Sequence, residues 1–449
     1  MGADNSFRPL RIAVVGAGVS GLSAAWLLGA KHKVTLFEGD SRLGGHANTV
    51  DAPGGPDGIV PVDTGFIVYN EDNYPNFTAL LDHLGVGTLD ADMALSVSLD
   101  DGAFEYSSAA LFAQLTNLFS PRYLGMLRDV TRFYREAPRD LAALEGPLTS
   151  LDDYLAQKGY GQAFRDDHLL PQAAAIWSTP LGAIGAYPAA ALIRFFQNHG
   201  MMSLFGRGLW RTVEGGSRTY VERLAGAFQG EVRSGVRVVG VRRDAAGVDV
   251  RLANGQVEHF DEVVIATHGD HALALLEDPG PEEQRLLSAF RYSRNLTVLH
   301  TDPALMPRRR AAWTSWNHLG RRGAAEEGSV TYWMNKLQSL PAQPELFVTL
   351  NPNREIAPEA VIRTEVYEHP IFDAGALSAQ AELWSLQGVN RTWFCGSYFG
   401  HGFHEDGLQS GLAVAEQLGG VRRPWSVQGE SSRIHLGPVP DEAAAEVAA

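Results

Sequence analysis

Apolar and polar positions along the chain fall into blocks of distinct period. Residues 12–15 form a short unbroken apolar run, the pattern of a strand buried on both faces. The stretch that follows, broken by Gly16, Gly18 and Gly21, reads as a tight turn opening a helix through Leu28, and residues 33–37 read as a second strand ending at Glu38. Residues 60–85 predict a strand, a polar turn over 70–74 and a helix. From 86 to 206 the period is helical with few strand signals. Pro121 there suits the first turn of a helix carrying Tyr123, Leu127, Val130 and Tyr134 on one side and Arg128, Arg132 and Arg135 on another, which reads as a surface helix of an ordinary domain, with a membrane-docking helix as the alternative.

Strand character returns over 231–267, with turn signals at 244–247 and Asn254-Gly255 that predict a small meander, and residues 263–266 form another buried strand. The segments NLTVLHTD, SVTYWMN and ELFVTLN read as strands of a second region, and the stretch from Trp393 to Leu418 as a strand, a glycine-rich loop and a helix. After Trp425 large apolar residues thin out, which predicts a disordered tail. The order implies an α/β chain in which a Rossmann-like domain (8–85, 207–280 and 387–424) is interleaved with a mixed α+β substrate-binding domain (86–206 and 281–386), followed by the tail 425–449.

The first block carries chemistry. Gly16, Gly18 and Gly21 stand at G-x-G-x-x-G spacing between a strand and a helix, where glycines permit a tight turn, close approach of backbone to a pyrophosphate and close helix packing, while the helix N-terminus faces the anion. Glu38 follows at about the 20-residue distance at which a carboxylate accepts from ribose hydroxyls. Arg42-Leu43-Gly44-Gly45 resembles the second diphosphate contact of glutathione-reductase-like flavoproteins, which selects FAD over a nicotinamide dinucleotide. A secretory-signal reading of residues 8–30 fails because the glycines interrupt the apolar run and a second strand follows directly.

Composition narrows the classes. The chain has 449 residues, 45% of them hydrophobic, and 52 acidic against 37 basic side chains give a formal charge of -15. That balance excludes a nucleic-acid partner, since phosphate backbones need a basic face. Cys395 is the single cysteine, so no internal disulfide exists, as expected in a reducing compartment. No segment offers the ~20 consecutive apolar residues of a membrane span. A cytoplasmic protein is expected, with peripheral contact at the inner membrane face as the alternative.

The distribution of these segments resembles the flavin amine oxidase and phytoene desaturase superfamily over almost the whole chain. The runs VDTGFIVYNEDNYPN, AAAIWSTP, RFFQNHG, WRTVEGGSRTYV and CGSYFGHGFHEDGLQSG resemble a narrower bacterial group encoded beside cyclopropane-fatty-acid-synthase-like methylases. Some of its members desaturate methyl-branched fatty acyl chains on the way to furan fatty acids. The resemblance implies that Gly16, Gly18, Gly21, Glu38, Arg42, Gly44 and Gly45 surround the ADP portion of FAD, with Ser20, Gly39 and His46 as further cofactor contacts and Val238 pairing its backbone to adenine. It places Thr64, Gly65 and Phe66 near the isoalloxazine. It also places Gly396, Ser397, Glu405, Gly407 and Leu408 at the pyrophosphate and flavin, Ser397 replacing the superfamily's usual Asp. The implied substrate is a fatty acyl chain of a phospholipid, and a methylase is the implied partner.

For the reaction itself, the ionisable loop over 401–406 offers His401, His404 and Glu405 as candidate catalytic groups, or alternatively as loop anchors. No third ligand completes a metal set with the two histidines, so no metal is expected. Cys395, just before Gly396, reads as core. Trp177, Tyr187, Phe195, Phe196, Trp313, Trp316, Tyr332 and Trp333 read as core or as the lining of an acyl tunnel. Arg308, Arg309 and Arg310 read as a solvated loop or an interfacial patch. An amine oxidase, a carotenoid-type desaturase and a non-catalytic FAD-bearing partner of a methylase remain as alternatives. No lysine can be placed for an amine oxidase.

Overall fold

The computed structural model describes residues 8–55, 58–144, 149–177, 181–202, 209–323 and 328–437. Its first layer grows from the apolar run at the start of the chain. Strand Arg11–Val15 lies at the centre of a five-stranded parallel sheet, flanked by Lys33–Glu38 and Glu231–Ser234 on one side and Glu262–Ile265 and Thr392–Phe394 on the other. Both faces are covered, so Ile12, Ala13 and Val14 are fully buried, as unbroken apolar runs require. Helix α1 (Val19–Gly29) crosses one face, and the three strands Val238–Asp244, Gly247–Leu252 and Val257–Phe260 form the expected antiparallel meander.

The second layer is a seven-stranded sheet in the order Val361–Ile371, Arg291–His300, Phe347–Leu350, Ser329–Trp333, Trp316–Gly320, Leu95–Leu99, Phe104–Ser107. The last two strands lie in the stretch that shows mainly helical period. Leu95–Leu99 pairs in parallel with Trp316–Gly320, more than 200 residues away, and long-range pairing overrides the weak local signal. Helix α2 (Pro75–Leu84) packs on the first layer. Helices α3 (Pro121–Asp140) and α4 (Ala189–Asn198) build a helical lobe around Phe133, Tyr154, Phe164 and Phe196. Pro121 does occupy the first turn of α3, capped by the Ser120 hydroxyl, and the buried stripe is Tyr123, Met126, Val130, Phe133 and Ala137.

Helix α5 (His404–Gln417) closes the first layer against α1. The contact is backbone to backbone: a Cβ on Gly411 would stand 2.2 Å from the Ser20 carbonyl oxygen.

The tail is corrected over its described part. Trp425 stacks on Trp26 with ring centroids 6.0 Å apart, Ile434 is buried, and Arg433 reaches the buried Asp406 at 2.6 Å. Sparse apolar content failed as a sign of disorder because a few contacts suffice, a buried ion pair together with the single apolar anchors Trp425 and Ile434 tying this segment down. Residues 438–449 lie outside the described residues, as do 178–180 of the AAAIWSTP run and the 206/207 domain boundary.

The candidate cofactor and substrate cavity

The glycine turns of the first layer build one end of a cavity of about 520 Å³. Gly16 adopts φ +102, a conformation open to glycine, and a Cβ there would stand 2.7 Å from the Ala266 carbonyl oxygen of the neighbouring strand. The Gly21 position is tighter, since a Cβ would meet the Gly16 oxygen at 1.9 Å. Gly18 is different: a Cβ there meets no protein atom within 4 Å, because the residue faces the cavity. The Gly44 amide donates to the Ala17 carbonyl at 2.8 Å, which draws the second glycine pair against the first turn. Glu38 closes the group, its carboxylate accepting from the Ala17 and Asp40 amides at 2.8 and 2.9 Å.

The walls of this cavity include Gly16, Gly18, Ser20, Glu38, Gly44, Gly45, His46, Thr64, Gly65, Phe66, Gly396, Ser397, His401, His404 and Gly407, brought together from four separate stretches of chain. Gly21, Gly39, Arg42, Val238, Glu405 and Leu408 are not wall residues. Gly21 and Leu408 serve packing, Gly39 faces the Arg237 side chain, Arg42 donates to the Ala47 carbonyl and Val238 opens the meander. Gly65 is needed for a reason other than cofactor approach: a Cβ there would stand 2.1 Å from the His46 carbonyl oxygen, which accepts from the Phe66 amide.

Glu405 is the clearest correction. Its buried carboxylate turns away from the cavity and accepts from the Asn76 and Phe77 amides at 3.1 and 2.9 Å, from Asn76 Nδ2 and from Gln409 Nε2. Helix α2 begins after Tyr74, whose side chain cannot cap it, so Glu405 satisfies its first free amides from across the interface. Burial raises its pKa, with the donated hydrogen bonds opposing. Replacing Glu405 with Gln is expected to destabilise the protein by about 1–3 kcal/mol while FAD content stays at the wild-type level. Lost flavin at an unchanged melting temperature would return Glu405 to the cofactor.

The histidines of the loop divide. His404 stacks on Phe66 at 3.8 Å and bonds Tyr220, and burial lowers its pKa to about 3, so it is a neutral wall residue. His401 faces the cavity with its pKa also lowered by burial. Cys395 is fully buried core with a thiol pushed up to about 12 by burial. Asp63 is buried under the wall, accepting from Thr49, Ser217 and Gln338, and burial raises it to about 6.

A second cluster escaped the sequence reading. His268, His271, Tyr367, Glu368 and His369 also line the cavity. The available signal was positional: His268 follows a strand adjacent to the central one, and loops at the carboxyl ends of such strands face the ligand crevice. Burial lowers His46 and His268 to about 4 and His369 to about 3. His268, His271 and Glu368 bring three ligand-type atoms within 4.8 Å of one another, a grouping that spacing in sequence does not disclose; Arg294 Nε stands 3.6 Å from the same carboxylate.

FAD fits this architecture. The open face of Gly18 suits a diphosphate, and the Tyr398 hydroxyl and His268 Nδ1, the latter 3.6 Å from Glu368, are buried wall atoms without a hydrogen-bond partner among the described residues, as polar atoms reserved for a ligand are. The far end is apolar, formed by Ile67, Met93, Ile176, Trp316, Tyr332 and Leu350 on the floor of the seven-stranded sheet. Tyr187, Phe195 and Phe196 pack in the core or at its edge, and Trp313 and Trp333 pack edge to face. The Trp177 side chain lies outside what is described. The arginine triplet is corrected in part: Arg309 pairs with the buried Glu105 at 2.9 Å, and Arg310 pairs with Glu345 while lying 3.9 Å over Trp313.

Comparison with known proteins agrees with this geometry. Curated relatives match locally: L-amino-acid oxidase of Pseudechis australis is 53% identical over 49 residues, 11% of this chain and 10% of the relative, and that of Mus musculus 48% over 50 residues, 11% and 8%. The match thus spans about a tenth of the relatives' length. Among solved structures, a putrescine oxidase mutant superposes with TM-score 0.66 at 16% identity, over 92% of this chain and 99% of that one. A CLA-producing fatty acid isomerase from P. acnes gives 0.65 at 15%, over 91% and 98%. Cyclohexylamine oxidase from Brevibacterium oxydans gives 0.65 at 15%, over 92% and 100%. No described helix is long and apolar enough to cross a membrane. The model of the flavin containing amine oxidoreductase family matches residues 19–419, and the chain therefore belongs to that family as an FAD-dependent oxidoreductase.

Proposed function

We propose that the protein is a desaturase of methyl-branched unsaturated fatty acyl chains that removes a hydride from an allylic carbon. The observation that carries this reading is the group of large apolar wall residues Ile67, Met93, Ile176, Trp316, Tyr332 and Leu350, in a cavity whose acidic wall residues are Glu38, Asp40 and Glu368. A cationic amine beside those apolar side chains would lose hydration at a cost of several kcal/mol, whereas an acyl chain gains about 0.8 kcal/mol per buried CH₂. The fold likeness to a fatty acid isomerase supports an acyl substrate for this architecture.

Bound FAD supplies the two-electron acceptor for the hydride. The residues that would hold it are those of the turns at Gly16, Gly18, Gly44 and Gly45, Glu38, and the loop from Gly396 to Gly407. The adjacent carbon then gives up a proton, so a second double bond forms. His401 is the wall group suited to accept that proton, neutral because it is buried and lying on the cavity. His369 is not suited, since its Nδ1 accepts from Asn295 Nδ2 at 2.9 Å and its other nitrogen therefore carries the proton of the neutral ring. The acyl chain belongs to a phospholipid, and a methylase that installs the branch supplies the substrate.

The test is anaerobic titration of the flavin band with membrane lipids extracted with and without methyl-branched chains. Bleaching with the branched lipids alone, and a diene product by mass spectrometry, is the expected result. Bleaching by amines or polyenes instead would replace the reading with an amine oxidase or carotenoid-type desaturase. A flavin that no substrate class reduces would favour a non-catalytic FAD-bearing partner of a lipid methylase.

A further inference from the structure

Residues 111–124 invert the usual burial pattern. Phe119 is 87% exposed and Leu115 71%, with Leu111, Phe112, Leu118 and Leu124 also exposed, while the polar Asn117 is buried. The segment is fixed by its polar groups. Asn117 Nδ2 donates to the Glu105 carbonyl at 2.9 Å, Gln114 Nε2 to the Ala103 carbonyl at 2.9 Å, and the Tyr123 hydroxyl to the Leu111 carbonyl at 2.6 Å. The large apolar side chains are thus held outward on an ordered short helix and the first turn of α3. Exposed apolar patches of this kind mark contact surfaces.

Charge selects the contact. In a chain of net charge -15, residues 106–128 contain Arg122 and Arg128 and no Asp or Glu. Arg122 pairs with the buried Asp167 at 2.7 Å and Arg128, 76% exposed, stands 3.4 Å from Asp129, whereas the exposed Arg308, beside the Glu105 anchor, forms no ion pair among the described residues. An apolar centre with a basic rim complements an anionic phospholipid surface. The position fits as well. A groove of about 430 Å³ lined by Ser108, Ala109 and Leu209, with Asp90 and Asp92 paired to Arg211 and Lys336 at its side, begins where this segment begins, and it shares Met93 and Trp210 with the cavity wall.

We infer that residues 111–124 seat the protein on an anionic phospholipid bilayer, with the groove at Met93 and Trp210 as the route by which an acyl chain passes from the bilayer to the cavity. The inference rests on the acyl-lipid reading for the route, whereas the seating is measured apart from any chemistry. Holoenzyme is sedimented with vesicles of phosphatidylcholine alone or with about one third phosphatidylglycerol. Wild type is expected to sediment with the anionic vesicles, and Leu115→Ser/Phe119→Ser to bind them at least about 10-fold more weakly, with flavin content and melting temperature retained. The control Ile59→Ser/Val257→Ser, at exposed apolar positions elsewhere, is expected to bind as wild type. Tryptophan emission from Phe119→Trp should shift to the blue on those vesicles. Wild type that stays in the supernatant, or a double variant that binds unchanged, overturns the seating. So does a wild-type dimer that the double variant makes monomeric without vesicle binding. Vesicle binding without flavin reduction would leave the seating standing and remove the desaturase reading.

Discussion

Replacing Arg433 with methionine is expected to destabilise the folded protein by about 3–5 kcal/mol, because it leaves a buried carboxylate without its counter-charge. Asp406 is fully buried, and Arg433 meets it through two nitrogens at 2.6 and 3.2 Å while donating a third bond to the Asn73 carbonyl at 2.9 Å. Asp406 also accepts from the Phe403 amide at 2.7 Å, which starts helix α5. The loop carrying His401, Gly402 and Phe403 into the cavity wall is therefore anchored from the tail. Denaturant unfolding monitored by flavin fluorescence checks this, and FAD release should coincide with the loss of stability. The double variant Asp406→Asn/Arg433→Met should recover part of the loss, since the uncompensated charge is then gone. A cost under about 1 kcal/mol for the single variant would mean that the pair is screened by water.

Two neighbouring glycines are expected to fail in different ways. A Cβ at Gly21 collides with the Gly16 carbonyl at 1.9 Å, backbone against backbone, so Gly21→Val should cost about 3 kcal/mol or more by overpacking and yield protein without bound flavin. A Cβ at Gly18 meets no protein atom within 4 Å, so Gly18→Ala should leave the melting temperature of the apoprotein unchanged. Its methyl group enters the space of the cofactor diphosphate, and FAD affinity should fall by about 10-fold or more. Calorimetry of the apoproteins with flavin titration separates the two, and equal effects at both positions would contradict the assignment of one glycine to packing and the other to the cofactor.

These expectations also mark where sequence ends and structure begins. Gly16, Gly18, Gly21, Glu38, Gly44 and Gly45 were legible because a βαβ turn concentrates its requirements within about 30 residues, where spacing alone encodes geometry. The strands Arg11–Val15 and Lys33–Glu38 and the Pro121 start of α3 were legible for the same reason, whereas Glu231–Ser234, which reads as part of the meander, joins the parallel sheet by pairing with a strand near the start of the chain. Glu405 was not, since the amides it caps belong to residues 329 and 328 positions earlier in the chain. A carboxylate in a glycine loop looks the same in sequence whether it faces a flavin or the end of a helix.

The cluster of His268, His271 and Glu368 and the pairing of Leu95–Leu99 with Trp316–Gly320 likewise depend on chain segments meeting across the fold. The exposed face of residues 111–124 was hidden differently, because its apolar count matches that of a core helix, and only burial tells which way the side chains point. The sequence by itself determined the family and the cofactor, both set by motifs of local spacing and hydrophobic period. The tertiary structure alone decided which ionisable groups face the cavity, which ones hold helices together, and that an ion pair with two isolated apolar anchors fastens the tail. Those outcomes depend on solvation and partners brought together from distant parts of the chain, and neither is written in the spacing of neighbouring residues.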